Sequence, residues 1–512
     1  MDTPAATPTL EGQPDPQGEH GLPGKPLLPG KQILGQPRGL ATLFLTEMWE
    51  RFSFYGARSI LILFMTAATA AGGLGLSDKT ASSIYGLYLS ASYLSGVLGG
   101  WIADRLVGAQ RAVVAGGVFI MVGNAMLASG SPQVFFIGLL VTTLGTGLLK
   151  PNVSAIVGHL YPEGGSRRDA GFSIFYMGIN IGSALGSPLV PLCANRFGWH
   201  AGFALPAIGM LFGLIQFVAT RRYLGSCGLR NEAEVQRGSW TPIVLLGIAI
   251  AAIVILAANG NLTINANAVS TAATWLMSAL ALGYFGYLIL FAGLEPVERR
   301  RVYAVAGLFL GSATFWAGYE QMGASFNLFA ARYTDLHVLG AVIPPGVLQG
   351  VNPIFIIIFA PILAALWLHL GRHNRDFAAP TKFALGLLLM GAGFLVMYFA
   401  SQYVITGVKV LPTWLVFTYL LHTLGELCLS PVGLSSMTKL APPRFVSQVM
   451  GLWFLSLALG DNLAGQLSGE YDSSNLLSLP GLFLKIFWWG AIGGGVMLLC
   501  TPVLKRLMSG IR

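Results

Sequence analysis

The sequence predicts an all-α polytopic membrane protein of two six-helix bundles with an inserted helix pair, about fourteen transmembrane helices in all. Three observations predict it. Only 10% of the 512 residues are charged and 54% are hydrophobic, with a mean hydropathy of +0.67, where soluble domains carry about 25% charged residues. Apolar runs long enough to cross a bilayer core as helices start near residues 40, 80, 111, 133, 168, 200, 240, 271, 302, 346, 381, 412, 445 and 480. The two halves also repeat: Thr143, Leu144, Gly145, Leu149 and Pro151 are matched by Thr423, Leu424, Gly425, Leu429 and Pro431, an offset of 280 that Gly171 and Gly451 share. Segments four and five thus correspond to ten and eleven once an inserted pair is set aside.

Taken in order, residues 1–36 are rich in Pro and Gly and lack an apolar core, which predicts a disordered cytoplasmic tail and not a signal peptide. The loops that follow alternate in charge. One set is basic, as at Arg105 to Arg111, Arg167 and Arg168, Arg221 to Arg237, Arg299 to Arg301, Arg372 to Lys382, Lys439 to Arg444, and Lys505 and Arg506. The other set is nearly free of Lys and Arg, with none in 128–132 or 258–269 and only Lys409 in 401–412. The positive-inside rule then puts both termini in the cytoplasm and requires an even number of spans. The net charge of +9 falls in these short clusters, so it is a topology signal and no nucleic acid is implied. The expected units are an N-terminal bundle over 37–225, a linker and inserted helix pair over 226–298, and a C-terminal bundle over 299–512. No charged residue lies between Trp240 and Phe291, which predicts lipid-facing structural helices for that pair.

The first span is the exception to the apolar rule. Glu47, Arg51, Tyr55 and Arg58 are spaced by four, four and three residues, one longitudinal stripe on a helix, with Glu50 beside it. A charge at the bilayer centre costs about 2.5 to 3.5 kcal/mol even on insertion scales, so the stripe faces a watery interior. Lys150 stands inside the fourth segment beside Pro151, Glu320 follows Trp316 in the seventh, and Glu426 precedes Ser430 and Pro431 in the tenth. Asn180 and Asn352 add buried amides that bond either substrate or freed backbone. Tyr93, Trp316 and Trp453 are candidate cavity walls. The halves differ in sign: Arg51, Arg58 and Lys150 come from the first, Glu320 and Glu426 from the second. A zwitterion such as a short peptide fits that arrangement, its carboxylate on Arg58 and Lys150 and its ammonium on Glu426. A sugar has no charge to match, and a simple anion leaves Glu426 unused.

Gly100, Trp101, Asp104 and Arg105, between the second segment and Arg111, resemble the cytoplasmic loop signature of the major facilitator superfamily. Glu47, Glu50 and Arg51 followed by Tyr55 and Arg58, with Lys150, Pro151 and Asn152, Phe175, Tyr176, Asn180 and Ser183, and Phe315, Trp316, Glu320 and Gln321, closely resemble the proton-coupled oligopeptide transporter family from residue 40 onward. The resemblance implies a bacterial inner-membrane symporter that imports di- and tripeptides with protons by alternating access. It implies no cofactor and function as a monomer. It assigns proton coupling to Glu47, Glu50, Arg51 and Glu320. It places Arg58 and Lys150 with Glu320 near the peptide carboxylate, Asn180, Asn352 and Glu426 at the amino end and backbone, and Tyr55, Tyr93, Trp316 and Trp453 as pocket aromatics. Gly56 and Tyr319 depart from residues common in relatives, so side-chain preference does not carry over. The alternatives are a proton-coupled nitrate or other anion carrier of the same family and a non-transporting peptide sensor. An intramembrane enzyme is disfavoured: there is no HExxH, no GxSxG and no metal set, and His159, His369 and His422 are far apart in sequence.

Overall fold

In the computed structural model the described residues are 32, 35–162, 165–229, 240–259, 261, 263–338, 340–373, 376–471 and 475–510. Most of the expected tail and residues 230–239 of the expected linker lie outside them. The first six helices are α1 (Arg38–Thr66), α2 (Asp78–Ile102), α3 (Ala109–Leu127), α4 (Pro132–His159), α5 (Gly165–Phe197) and α6 (Trp199–Thr220). Then come α7 (Thr241–Ala258) and α8 (Ala266–Leu290). The chain ends with α9 (Pro296–Tyr319), the short α10 (Ser325–Tyr333), α11 (Val351–Arg372), α12 (Ala379–Val404), α13 (Thr413–Leu440), α14 (Val446–Ser468) and α15 (Leu479–Leu507). This is the all-α polytopic architecture expected, with each predicted start within a few residues of a helix or its leading turn. A two-stranded hairpin, β1 (His337–Val338) and β2 (Ala341–Val342), caps the loop after α10.

Among the described residues, ten helical segments are long and apolar enough to cross a membrane, and α7 adds a shorter apolar stretch. Three long helices miss that measure for a physical reason. The stripe of charges on α1, the serines and glycines of α2 and the Asp461, Asn462 and Gln466 of α14 are turned toward other helices, where lipid solubility is not required. Within the first six helices α1 packs on α5 and α6, and α4 on α2 and α3. Within the last set α12 packs on α13 and α15, and α9 on α14. The sequence repeat marks one helix crossing in each bundle: a side chain on Gly145 would meet the Gly116 carbonyl at 2.7 Å, and one on Gly425 would meet the Gly386 carbonyl at 2.8 Å. Small residues are what let helices approach so closely.

The bundles meet along α2 and α14, where Gly86 faces Gly465 so tightly that a side chain on Gly86 would lie 2.9 Å from the Gly465 Cα. More cross-links gather at the end where α1 stops and α2 begins. Asn327 Nδ2 donates to the Ser59 carbonyl at 2.8 Å, and Arg332 grips Asp78 with two hydrogen bonds of 2.7 and 2.8 Å. The helix expected through residue 320 is broken there: α9 stops at Tyr319, Glu320 opens a tight turn, and α10 resumes at Ser325. Gly323 lets this turn pack closely on the first bundle, since any side chain on it would collide with the Tyr85 hydroxyl and Arg58.

The inserted pair divides in two. α7 is largely exposed, as a lipid-facing helix should be. α8 instead buries one face and makes polar bonds to both bundles. Asn462 Nδ2 on α14 donates to the Ser270 carbonyl at 2.7 Å, Gln466 Nε2 donates to Thr274 Oγ1 at 2.8 Å, and Ser83 Oγ on α2 donates to Asn267 Oδ1 at 2.7 Å.

Candidate functional site

The stripe on α1 turns inward as its spacing requires, and one arginine on it pairs with two acids. Arg51 Nε donates to Glu47 Oε1 at 3.0 Å and lies 2.6 Å from Glu50 Oε2, with all three side chains buried. Removing one partner of such a buried group typically costs about 3 to 5 kcal/mol, because the charge left behind has no water to turn to. Two helical turns on, Arg58 leaves its own bundle. Its Nη2 is 2.6 Å from Glu320 Oε2, at the turn that follows α9, and its Nε donates to the Tyr85 hydroxyl at 2.7 Å. The sequence leaves open whether Lys150 or Arg58 pairs with Glu320. In this structure Arg58 does.

Between the bundles lies a cavity of about 480 Å³, of the size that holds small ligands. Tyr55, Arg58, Tyr93, Lys150 and Asn180 line it from the first half, and Trp316, Asn352, Glu426, Ser430 and Trp453 from the second, so all ten expected substrate positions share one space. Arg51 and Glu320 also reach it, whereas Glu47 and Glu50 stand behind Arg51 outside the lining. Lys150 makes no ion pair among the described residues; its Nζ sits 4.1 Å above the Tyr93 ring. Glu426 accepts a hydrogen bond of 2.6 Å from the Tyr319 hydroxyl. The two amides behave differently from substrate-only ligands: Asn180 Nδ2 donates to the Tyr176 carbonyl at 3.0 Å and Asn352 Nδ2 to Thr423 Oγ1 at 2.8 Å. Each keeps its side-chain oxygen for another donor.

Sequence reasoning missed Asp461, Tyr319, Tyr176 and Gln349, which also line the cavity. Asp461 had a signal, being an acid within the apolar run of α14, the same feature that singled out Glu320 and Glu426. Tyr176, Leu434 and Phe454 belong to the lining yet are 42%, 44% and 38% exposed. The exposed part of the lining therefore lies toward the His159 and Leu440 ends of α4 and α13, away from the closed end at Asp78 and Arg332. A second hollow of about 690 Å³ between α2, α4 and α7 has only Thr80 and Gln133 as polar lining and nothing charged to orient a polar solute.

The chain is similar to known proteins over nearly all its length. A family model described as the POT family matches residues 110–478. The peptide transporter YePEPT of Yersinia enterocolitica subsp. palearctica serotype O:3 (strain YE-P4) is 41% identical over 496 residues, covering 94% of this chain and 97% of that protein. A di-/tripeptide transporter of Lactococcus lactis subsp. cremoris is 35% identical over 504 residues, covering 94% and 98%. A crystal structure of a peptide transporter POT in complex with sulfate superposes with a TM-score of 0.86 at 41% identity, covering 94% of this chain and 97% of that one. With its helix order, its central charged cavity and this extent of likeness, the chain belongs to the POT family.

Proposed function

We propose that the protein is a proton-coupled symporter that imports di- and tripeptides across a bacterial inner membrane by alternating access. The observation that carries this reading is the sign of the cavity walls: Arg58 and Lys150 come from the first bundle and Glu426 from the second. A peptide carboxylate would take Lys150 from the Tyr93 ring, and its ammonium would take Glu426 from the Tyr319 hydroxyl. Charged hydrogen bonds contribute about 1.5 to 3 kcal/mol each, enough to select a zwitterion over a neutral solute. The relatives' names as peptide transporters support the same substrate class.

The bundles 37–225 and 299–512 are the rocking units, with both termini cytoplasmic and the cavity mouth facing the cytoplasm. Arg58 and Glu320 then form part of the outer closure. A proton on Glu320 discharges the carboxylate that holds Arg58 across the bundles, loosening the closure and freeing the guanidinium for a substrate carboxylate. Release of that proton restores the pair and the closed outer end, the state described above. Glu47, Glu50 and Arg51 offer a second place for a proton, behind the Lys150 wall. Inward movement of each net positive charge gains about 2.3 kcal/mol per 100 mV of membrane potential.

Uptake of labelled dialanine into proteoliposomes tests this. The wild type should accumulate dialanine under an inward pH gradient, and Glu320→Gln should keep dialanine counterflow while losing accumulation at least tenfold. Unchanged accumulation in Glu320→Gln defeats the coupling assignment. Competition by nitrate but not by unlabelled dipeptide would favour an anion carrier, and binding of dialanine without any flux would favour a sensor.

A further inference from the structure

Asp461 sits on α14, is 1% exposed, and lines the cavity. Both of its carboxylate oxygens are buried without a hydrogen-bond partner, and it has no ion pair among the described residues. Every other acid of the site has a partner: Glu47 and Glu50 have Arg51, Glu320 has Arg58, and Glu426 has Tyr319. Neither nearby cation bonds it: Arg58 is held by Glu320 and Tyr85, and Lys150 lies over the Tyr93 ring. An ionised carboxylate in that position would be a buried charge with no counter-ion, whereas a protonated one is a neutral group of the same shape.

The balance of the whole site points the same way. Arg51, Arg58 and Lys150 face Glu47, Glu50, Glu320, Glu426 and Asp461, three cations against five carboxylates. A zwitterionic peptide adds no net charge, so with or without it two acids in excess call for two protons. The ionisable groups around Asp461 are Glu320 from the turn after α9, Arg58 from α1, Lys150 from α4, Tyr85 and Tyr93 from α2, and Glu426 on α13 across the cavity. α8, which also packs on α14, has Tyr284 and Tyr287 as its only ionisable side chains. The amides that follow on α14, Asn462 and Gln466, are engaged by Ser270 and Thr274 and turn away from Asp461. Asp461 also lies at the seam: a side chain on Gly86 of α2 would stand 3.0 Å from its carbonyl oxygen. Rocking of α2 against α14 therefore changes what this carboxyl group meets.

We infer that Asp461 carries a proton through the transport cycle, separately from Glu320 and from the cluster around Arg51. The inference rests on the symport reading and adds to it a coupled proton at a seat distinct from the two named there. The neutral acid is retained in the state described here, with the seam shut; opening of the seam between α2 and α14 lets outside water load Asp461, and the cavity is the path by which its proton leaves on the other side.

The experiment is the proton-to-peptide ratio of reconstituted protein, read from the membrane voltage at which net dialanine flux vanishes for a fixed dialanine and pH gradient. Asp461→Asn should keep counterflow within about threefold of wild type and transport one proton fewer per dialanine, while Asp461→Glu keeps the wild-type ratio. An unchanged ratio in Asp461→Asn overturns the inference. If Asp461→Asn does not fold, the infrared carbonyl band of protonated carboxylic acids decides: a band that shifts between wild type and Asp461→Glu supports it, and a band identical in both overturns it. Absence of dialanine flux in the wild type would defeat the symport reading instead, and the infrared band would still report on Asp461.

Discussion

Glu426 and the Tyr319 hydroxyl hold each other at 2.6 Å, and this contact sets what the acidic wall can recognise. A ligand ammonium that replaces the hydroxyl exchanges a neutral donor for a charged one, so Glu426→Gln should penalise dialanine at least tenfold in KM. It should leave N-acetyl-alanyl-alanine, which has no ammonium, within about twofold; competition against labelled dialanine measures both, and equal losses would remove Glu426 from that role. Much of this residue-level arrangement was legible in the sequence, because a charge in an apolar run has few places to go. Glu47, Arg51, Tyr55 and Arg58 share a stripe by spacing alone, and a stripe of charges implies the wet interior that the cavity supplies. Pairing was not legible. Nothing in the spacing distinguishes Arg58 from Lys150 as the partner of Glu320, because that choice depends on how two bundles from distant parts of the chain are docked. Asp461 obeys the same rule as the other acids and was legible by it.

Helix α8 shows the opposite weakness of reading by charge. Asn267, Ser270 and Thr274 are three and four residues apart, a polar stripe of uncharged groups, and an absence of charge made the helix look merely lipid-facing. In the structure that stripe ties α8 to Ser83 on α2 and to Asn462 and Gln466 on α14, one helix bonded to both sides of the seam. Asn462→Leu should therefore lower the apparent melting temperature in detergent by a few degrees, since stranded buried polar groups cost about 1 to 3 kcal/mol. Combining it with Ser270→Ala and Thr274→Ala should add less than the separate losses, because the variants remove one shared network; full additivity would mean that the groups act independently. The turn at Glu320 was hidden for a related reason. An apolar run continues through residue 320 to Ala330, and only the docked structure shows the turn there, with Gly323 packed under Tyr85 and Arg58 of the other bundle.

At the scale of the molecule, closure at one end rests on few and chemically different contacts: the Arg332–Asp78 clasp, the Asn327–Ser59 bond, the Arg58–Glu320 pair and the crossing of Gly86 with Gly465. Gly465→Leu should wedge α2 from α14 and shift the protein toward the state open at that end. A cysteine placed at Asn327, with Cys193, Cys227, Cys428 and Cys500 replaced by serine, should then react with an external membrane-impermeant maleimide at least fivefold faster. An unchanged rate would show that the crossing does not hold the end shut. The two-bundle plan was readable from the repeat, since Gly145 and Gly425 mark equivalent crossings; which end is closed was not, because that depends on how the two bundles are docked. The bare Gly86–Gly465 crossing has one more effect. Backbone lying on backbone has no interlocked side chains to unmesh, so the surfaces can roll past each other without changing a rotamer, and the resistance to turning is left to the polar clasps beside them. In the proposed transport cycle the crossing would serve as a smooth bearing, with the tempo of the swing handed to protons and charge pairs.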